Sequence, residues 1–139
     1  MTTAAVTSLI RDPMLLPPRE APYRLQSVHE LVTDGCRQEI VLDWGDSHLI
    51  VRVDEDTDTL SARFQGHPFV TTEAYGNLGV CTPWDRQLGK ECDWTWIAVN
   101  QQGYCDLILF SFDVMVPQIL LHALASSIEV FETTGRKGQ

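Results

Sequence analysis

Short runs of alternating apolar and polar residues, separated by turn-forming residues, fill most of this chain and predict strands more readily than helices. Residues 38–44 show the pattern most cleanly, with Ile40, Leu42 and Trp44 on one face and Glu39, Val41 and Asp43 on the other. Before them, residues 24–32 read as a first strand ending at Thr33-Asp34-Gly35, where Asp-Gly supplies the positive φ of a tight hairpin. Gly45-Asp46 turns the chain again. Residues 48–53 then present Leu49, Val51 and Val53 inward, and after an acidic turn residues 59–64 present Leu60, Ala62 and Phe64. Four antiparallel strands in sequence order, a meander, is the simplest account.

A second block follows. Residues 93–100 and 105–112 are apolar runs around Asn100-Gln101-Gln102-Gly103, the pattern of a long hairpin. Strict alternation places Cys92, Trp94, Trp96 and Ala98 on one face, and Tyr104, Ile108, Phe110 and Phe112 on one face of the return strand. On that reading Trp94 and Trp96 belong to the core, packed against the other layer. Residues 117–125 fit two templates. Pro117 could open a helix carrying Leu120, Leu121, Leu124 and Ile128, but Ile119, Leu121, Ala123 and Ala125 also alternate as a strand. The strand is favoured, with Ser126-Ser127 as a bulge or bend and residues 128–133 closing the sheet.

Between the blocks, residues 65–91 lose the period of two and carry Gly66, Pro68, Gly76, Gly79, Pro83 and Gly89. They predict a long loop with one short helix over 83–88, opened by Thr82-Pro83 with Asp85 and stopped by Gly89. Loops of this length are often functional. Tyr75 and Trp84 are its most conspicuous side chains, and Trp84, beside Asp85 and Arg86, is the better interface candidate because tryptophan often dominates binding energy. At the start, prolines 13, 17, 18 and 22 make residues 1–22 an extended or disordered arm; the favoured form is docked, with Met14, Leu15 and Leu16 along the folded body or a neighbouring subunit. A single domain is expected over 23–134 and a frayed tail over 135–139. The fold class is β-rich α+β: an antiparallel meander packed on a second hairpin layer, with one or two short helices.

Composition narrows the function more than the fold. At 139 residues, 44% of them hydrophobic and 21% charged, the chain fits one globular domain, and no apolar run nears the ~20 residues that span a bilayer. The first residues have neither the basic nor the apolar region of an export signal, so the cytoplasm is the expected compartment. Net charge is -9, and residues 23–134 hold six basic against seventeen acidic side chains. Such a surface repels nucleic acid and anionic membranes and speeds encounter with a basic partner. Asp43, Asp46, Asp54, Glu55, Asp56 and Asp58 concentrate this charge; with Trp84 and Tyr75 they are the candidate partner-binding residues.

Candidate chemistry is sparse. Asp54, Asp56 and Asp58 match the start of an EF-hand loop, but Thr59 stands where that loop needs glycine and Gln65 where it needs a bidentate glutamate. A solvated hairpin turn fits better. His29, His48, His67 and His122 lack helical metal spacing, and neither a metal nor a cofactor is expected. Cys36, Cys81, Cys92 and Cys105 form no C-x-x-C pair and read as free, mostly buried thiols, with Cys92 and Cys105 close together across the hairpin turn. Cys81 with His67 is the one nucleophile and base combination to test, and Ser126-Ser127 lacks a strand-to-helix elbow, so enzyme chemistry is disfavoured.

The closing block, Trp94-x-Trp96 with Asn100-Gln101-Gln102-Gly103-Tyr104-x-Asp106, then Phe112 and Ala125-Ser126-Ser127-Ile128, resembles a family of small bacterial proteins of unknown function. The resemblance brings no catalytic residues with it. In composition the chain is also similar to immunity proteins, which neutralise a toxin by covering its active site. The leading expectation is an acidic protein-protein interaction module, an immunity-type inhibitor of a basic partner. One alternative is a small-ligand binder with a pocket between the layers floored by Trp94 and Trp96; another is a cysteine hydrolase at Cys81. Exposed strand edges would also allow a homodimer.

Overall fold

A computed structural model describes residues 15–133. The expected arm is therefore described only from Leu15 onward, and the tail at 135–139 lies outside the described residues. The meander forms as its sequence pattern predicts: β1 (Ser27–Thr33), β2 (Cys36–Asp43), β3 (His48–Asp54) and β4 (Thr59–Gln65) pair antiparallel in order. A three-residue strand, β5 (Tyr75–Asn77), pairs with the free side of β1, giving a sheet of order β4-β3-β2-β1-β5. The second sheet is β6 (Cys92–Val99), β7 (Cys105–Phe112), β8 (Ile119–Leu124) and β9 (Ser127–Glu132), in that order. Residues 119–124 are thus a strand. Ala125 and Ser126, at φ 53° and 65°, make the tight turn that reverses it, as Asp34 and Gly35 do between β1 and β2 at φ 54° and 78°.

The sheets pack face to face, β2 and β3 against β9 and β4 against β7. Ile40, Leu42, Leu49, Val51 and Leu60 from one sheet meet Ile108, Phe110, Phe112, Ile119, Leu121 and Ile128 from the other, all fully buried. Polar ties lock the turns of the two sheets together. Asp58 Oδ1 accepts the Ser126 N–H at 2.7 Å, Ser126 Oγ donates to the Glu55 carbonyl at 2.9 Å, and Arg37 Nη1 donates to the Ile128 carbonyl at 2.8 Å. The arm is docked where it is described: Leu15 is buried, Leu16 packs against the core, and the Tyr23 hydroxyl donates to the Pro17 carbonyl.

Several expectations fail for identifiable reasons. The helix over 83–88 shrinks to one 3-10 turn, Trp84–Arg86, because no side chain caps its start and Gly89 leaves it at φ 85°. No second helix forms near Gln118. Trp84 is buried, not displayed, since this turn folds back into the core cluster that also holds Leu25 and Leu78. Trp94 and Trp96 make the opposite change. Cys92 pairs with Phe112 but Trp94 with Ser111, so one extra residue interrupts the ladder at Asp93. Beyond this bulge Thr95 and Ile97 stand opposite the core residues Phe110 and Ile108, which turns Trp94, Trp96 and Ala98 outward. A second irregularity, Ala98 to Leu107 but Val99 to Cys105, removes Tyr104 from the face of Ile108 and leaves it exposed. Cys92 and Cys105 lie at opposite ends of the hairpin, so they are not neighbours.

Candidate functional site

Most of the acidic candidates are engaged in structure. Asp43 accepts from Ser27 Oγ at 2.9 Å and from the Gly45 N–H at 2.8 Å, which shapes the β2–β3 turn. Asp54 Oδ1 accepts from the backbone N–H groups of Asp56 at 2.9 Å and Thr57 at 3.2 Å, an Asx-type turn, and Asp58 is spent on Ser126. Asp46 holds both carboxylate oxygens 3.0 Å from Arg19 Nη1, and the hydrogen bond from Arg19 pulls its carboxyl below the usual range. That arginine also lies 3.8 Å from the centroid of the Tyr23 ring and donates to the carbonyls of Ala21 and Pro22, each at 2.9 Å, fastening the arm. Glu55 and Asp56 remain as exposed charges at the tip of the turn.

The outer face of the first sheet is covered from within the chain around His29, His48 and Tyr75. Residues 66–74 cross it from β4 to β5, and Phe69 sits on His29, His48 and Tyr75 with ring centroids 4.8, 5.3 and 5.2 Å away. His67 packs on His48 at 5.1 Å, and His48 Nδ1 meets the His67 carbonyl at 2.8 Å. This cover explains why His48, Glu39 and Val41 are buried although they face away from the core. Tyr75 donates from its hydroxyl to Glu39 Oε1 at 2.8 Å, and Glu39 Oε2 pairs with Arg52 Nη1 at 2.9 Å. Burial, with the Glu39 hydrogen bond behind it, raises the Tyr75 phenol. An open polar cavity of about 620 Å³ lies beside these groups, lined also by Ile50, Ser61 and Arg63.

The nucleophile reading at Cys81 gains no geometry. Cys81 is exposed and no hydrogen bond links it to His67, whose Nδ1 turns to the Pro68 carbonyl at 3.1 Å. Ser27 Oγ lies 2.9 Å from both His29 Nε2 and Asp43 Oδ2, a polar cluster the sequence pattern did not single out. Among the described residues no group of three or more His, Cys, Asp or Glu side chains could hold a metal ion, and no helix is long and apolar enough to cross a membrane.

What stands out instead is the outer face of the second sheet. The register aligns Trp96 of β6 with Leu109 of β7, Leu120 of β8 and Phe131 of β9; a second row is Ala98, Leu107, His122 and Glu129. Trp94 and Leu124 extend the face at either end. Exposure reaches 47% at Trp94, 48% at Phe131 and 50% at Leu124, and no described segment crosses this face as 66–74 crosses the other. Carboxylates border it: Asp93 and Asp106 at the two irregularities of the β6–β7 hairpin and Glu129 in the second row, whereas Glu132 pairs with Arg86 from the other side of β9. The sequence pattern missed this surface because β6 is apolar on both faces, so only the one-residue bulge decides which set is displayed.

A family model for proteins of unknown function, DUF6334, matches residues 23–137, which is most of the chain. The chain belongs to this family. The match begins at Tyr23, so it takes in both sheets and leaves out the arm. No curated protein and no solved structure matches the chain. Membership in a family of unknown function brings no activity to the site.

Proposed function

We propose that this DUF6334 protein is an acidic protein-binding module that takes a basic partner on the outer face of the β6–β9 sheet. The observation behind this reading is the uncovered apolar face itself, two tryptophans with Leu109, Leu120, Leu124 and Phe131, in a chain whose opposite sheet is partly covered by residues 66–74. Soluble proteins rarely leave such a contiguous patch wet without a use for it, and tryptophan is the residue most enriched among binding hot spots. The rim of carboxylates and the net charge of -9 specify the complement, an apolar centre ringed by lysine and arginine. Long-range charge would raise the encounter rate and the apolar centre would set the lifetime. Against an enzyme, such a contact inhibits by occlusion, the immunity-type role. The interlayer pocket finds no such support, since the space between the sheets is occupied by Phe110, Phe112, Trp84 and their neighbours.

The test is capture of partners from the native lysate by the tagged full chain and by a Leu124→Lys/Phe131→Lys variant, each at low and moderate salt. A basic protein retained by the parent, released as salt rises and not retained by the variant supports the reading. Retention that ignores both salt and the variant, or no retained protein at all, refutes it.

A further inference from the structure

The margin of the second sheet is unfinished in a way that its faces do not explain. β6 is the terminal strand, and only the start of its free side is covered: Cys92 N donates to the Tyr23 carbonyl at 2.8 Å, Leu25 N to the Lys90 carbonyl at 3.0 Å, and Arg24 bridges to Glu91. From Trp94 to Val99 the outward backbone groups have no partner among the described residues. The strand also overhangs. The first sheet ends at β4, which packs over β7, so of the eight residues of β6 only Cys92 is buried.

Edge strands invite pairing, and proteins ordinarily guard them with charge, proline or brevity. The other three margins follow this rule: β9 carries Glu129 and Glu132, β4 carries Arg63, and β5 has three residues. The stretch Trp94-Thr95-Trp96-Ile97-Ala98-Val99 has no charge, no proline and no glycine, and every residue but Ala98 is a strong strand former.

We propose that the free edge of β6 is completed by the β6 strand of a second copy, paired antiparallel about a two-fold axis at Ile97. The stretch is complementary to its own reverse in this register. Trp96 falls beside Ala98 of the copy on the outer face, large against small. Thr95 falls beside Val99, β-branched against β-branched, and Ile97 meets its equivalent on the inner face. Asp93 of each chain lies beyond the paired stretch, so no two carboxylates are brought face to face. A cavity of about 460 Å³ between residues 16–19 and residues 92–95 leaves room for the incoming strand where the arm would otherwise crowd it. The result is one eight-stranded sheet that leaves both outer faces free, so this pairing does not depend on the partner-binding reading above.

Sedimentation of the purified full chain over a range of concentrations, at low and high salt, tests it. A dimer is expected, strengthened as salt screens the repulsion between two chains of net charge -9, the reverse of the salt response of a basic partner. Thr95→Lys and, separately, Val99→Lys should weaken it by about tenfold or more by setting an unpaired charge into the inner-face contact between Thr95 and Val99 of the copy. Hydrogen exchange on the unmodified protein guards against a variant that merely misfolds, because outward amides between Trp94 and Val99 should be protected at high concentration and lose protection on dilution. A monomer at every concentration, edge amides that exchange freely in a dimer, or a dimer lost with Leu124→Lys/Phe131→Lys and not with the edge variants would each overturn the proposal.

Discussion

Replacing Trp84 and Trp94 in turn separates the two roles that the fold assigns to tryptophan. Trp84 is 1% exposed and sits among the core side chains, whereas Trp94 is 47% exposed on the outer face. Trp84→Ala removes a full indole from a packed interior, a change that costs about 3–5 kcal/mol. Trp84→Phe is the sharper probe. It opens on the order of 30–40 Å³, worth about 1 kcal/mol at roughly 24 cal/mol per Å³. It also deletes the indole N–H, which is buried without a hydrogen-bond partner in the structure, and relieving such a group offsets about 1–3 kcal/mol. The two terms nearly cancel, so Trp84→Phe should fall within about 1 kcal/mol of the parent on the low side of that relief. Trp94→Ala should also stay within about 1 kcal/mol, as surface substitutions do. Urea unfolding followed by far-UV circular dichroism reads all three. With a slope of about 1–3 kcal/mol per molar, Trp84→Ala should lower the midpoint by at least about 1 M while the other two barely move it. A Trp94→Ala loss as large as that of Trp84→Ala would mean that β6 has no bulge and that its tryptophans face the core.

Other consequences can be measured independently. Burial pushes the Cys92 thiol up to about 12, with Asp93 adding to the effect. The folded state therefore holds its proton more tightly than the unfolded chain, so this contribution is complete below about 9 and is lost as pH rises from there towards about 12. Cys92→Ala should flatten that part of an alkaline stability profile. In the native protein at mildly alkaline pH, exposed Cys81 should react with a thiol reagent while Cys92 and Cys105 do not, and modification of all four before unfolding would contradict their burial. Burial lowers the His29 imidazole against the opposing pull of Asp43, so its contribution is present above about 6.5 and fades as pH falls below it. An NMR titration that finds His29 above 6.5 would refute this. Asp58→Ala breaks the 2.7 Å tie to Ser126 and places alanine at φ 52°, and should cost about 1–3 kcal/mol, with faster amide exchange at the β8–β9 turn.

The candidate site was far less legible than the fold. Carboxylates at 43–58 looked like a display because a linear chain shows their spacing and not their partners; Asp43, Asp46 and Asp58 each answer to a group that folding brings within reach, and Asp54 is spent on its own turn. Arg19 and Ser126 are 27 and 68 residues from the carboxylates they engage. Trp84 looked exposed because its segment lacks a period, although an irregular segment can deliver one large side chain into a core as well as a strand can.

Alternation, turn residues and length determined the rest. Asp34-Gly35 and the period-two runs at 38–44, 48–53 and 59–64 are local signals, read from neighbours in sequence, and the meander needs nothing more. The second hairpin and the strand at 119–124 were likewise visible in the pattern. Which face of β6 meets the core was decided only in three dimensions. Both of its faces are apolar, so either could be buried, and the choice falls to one unpaired residue, Asp93, at the place where Tyr23 holds Cys92 and β7 holds Trp94. A period of two carries no record of such an interruption, and a shift of a single residue exchanges the inside of a strand for its outside.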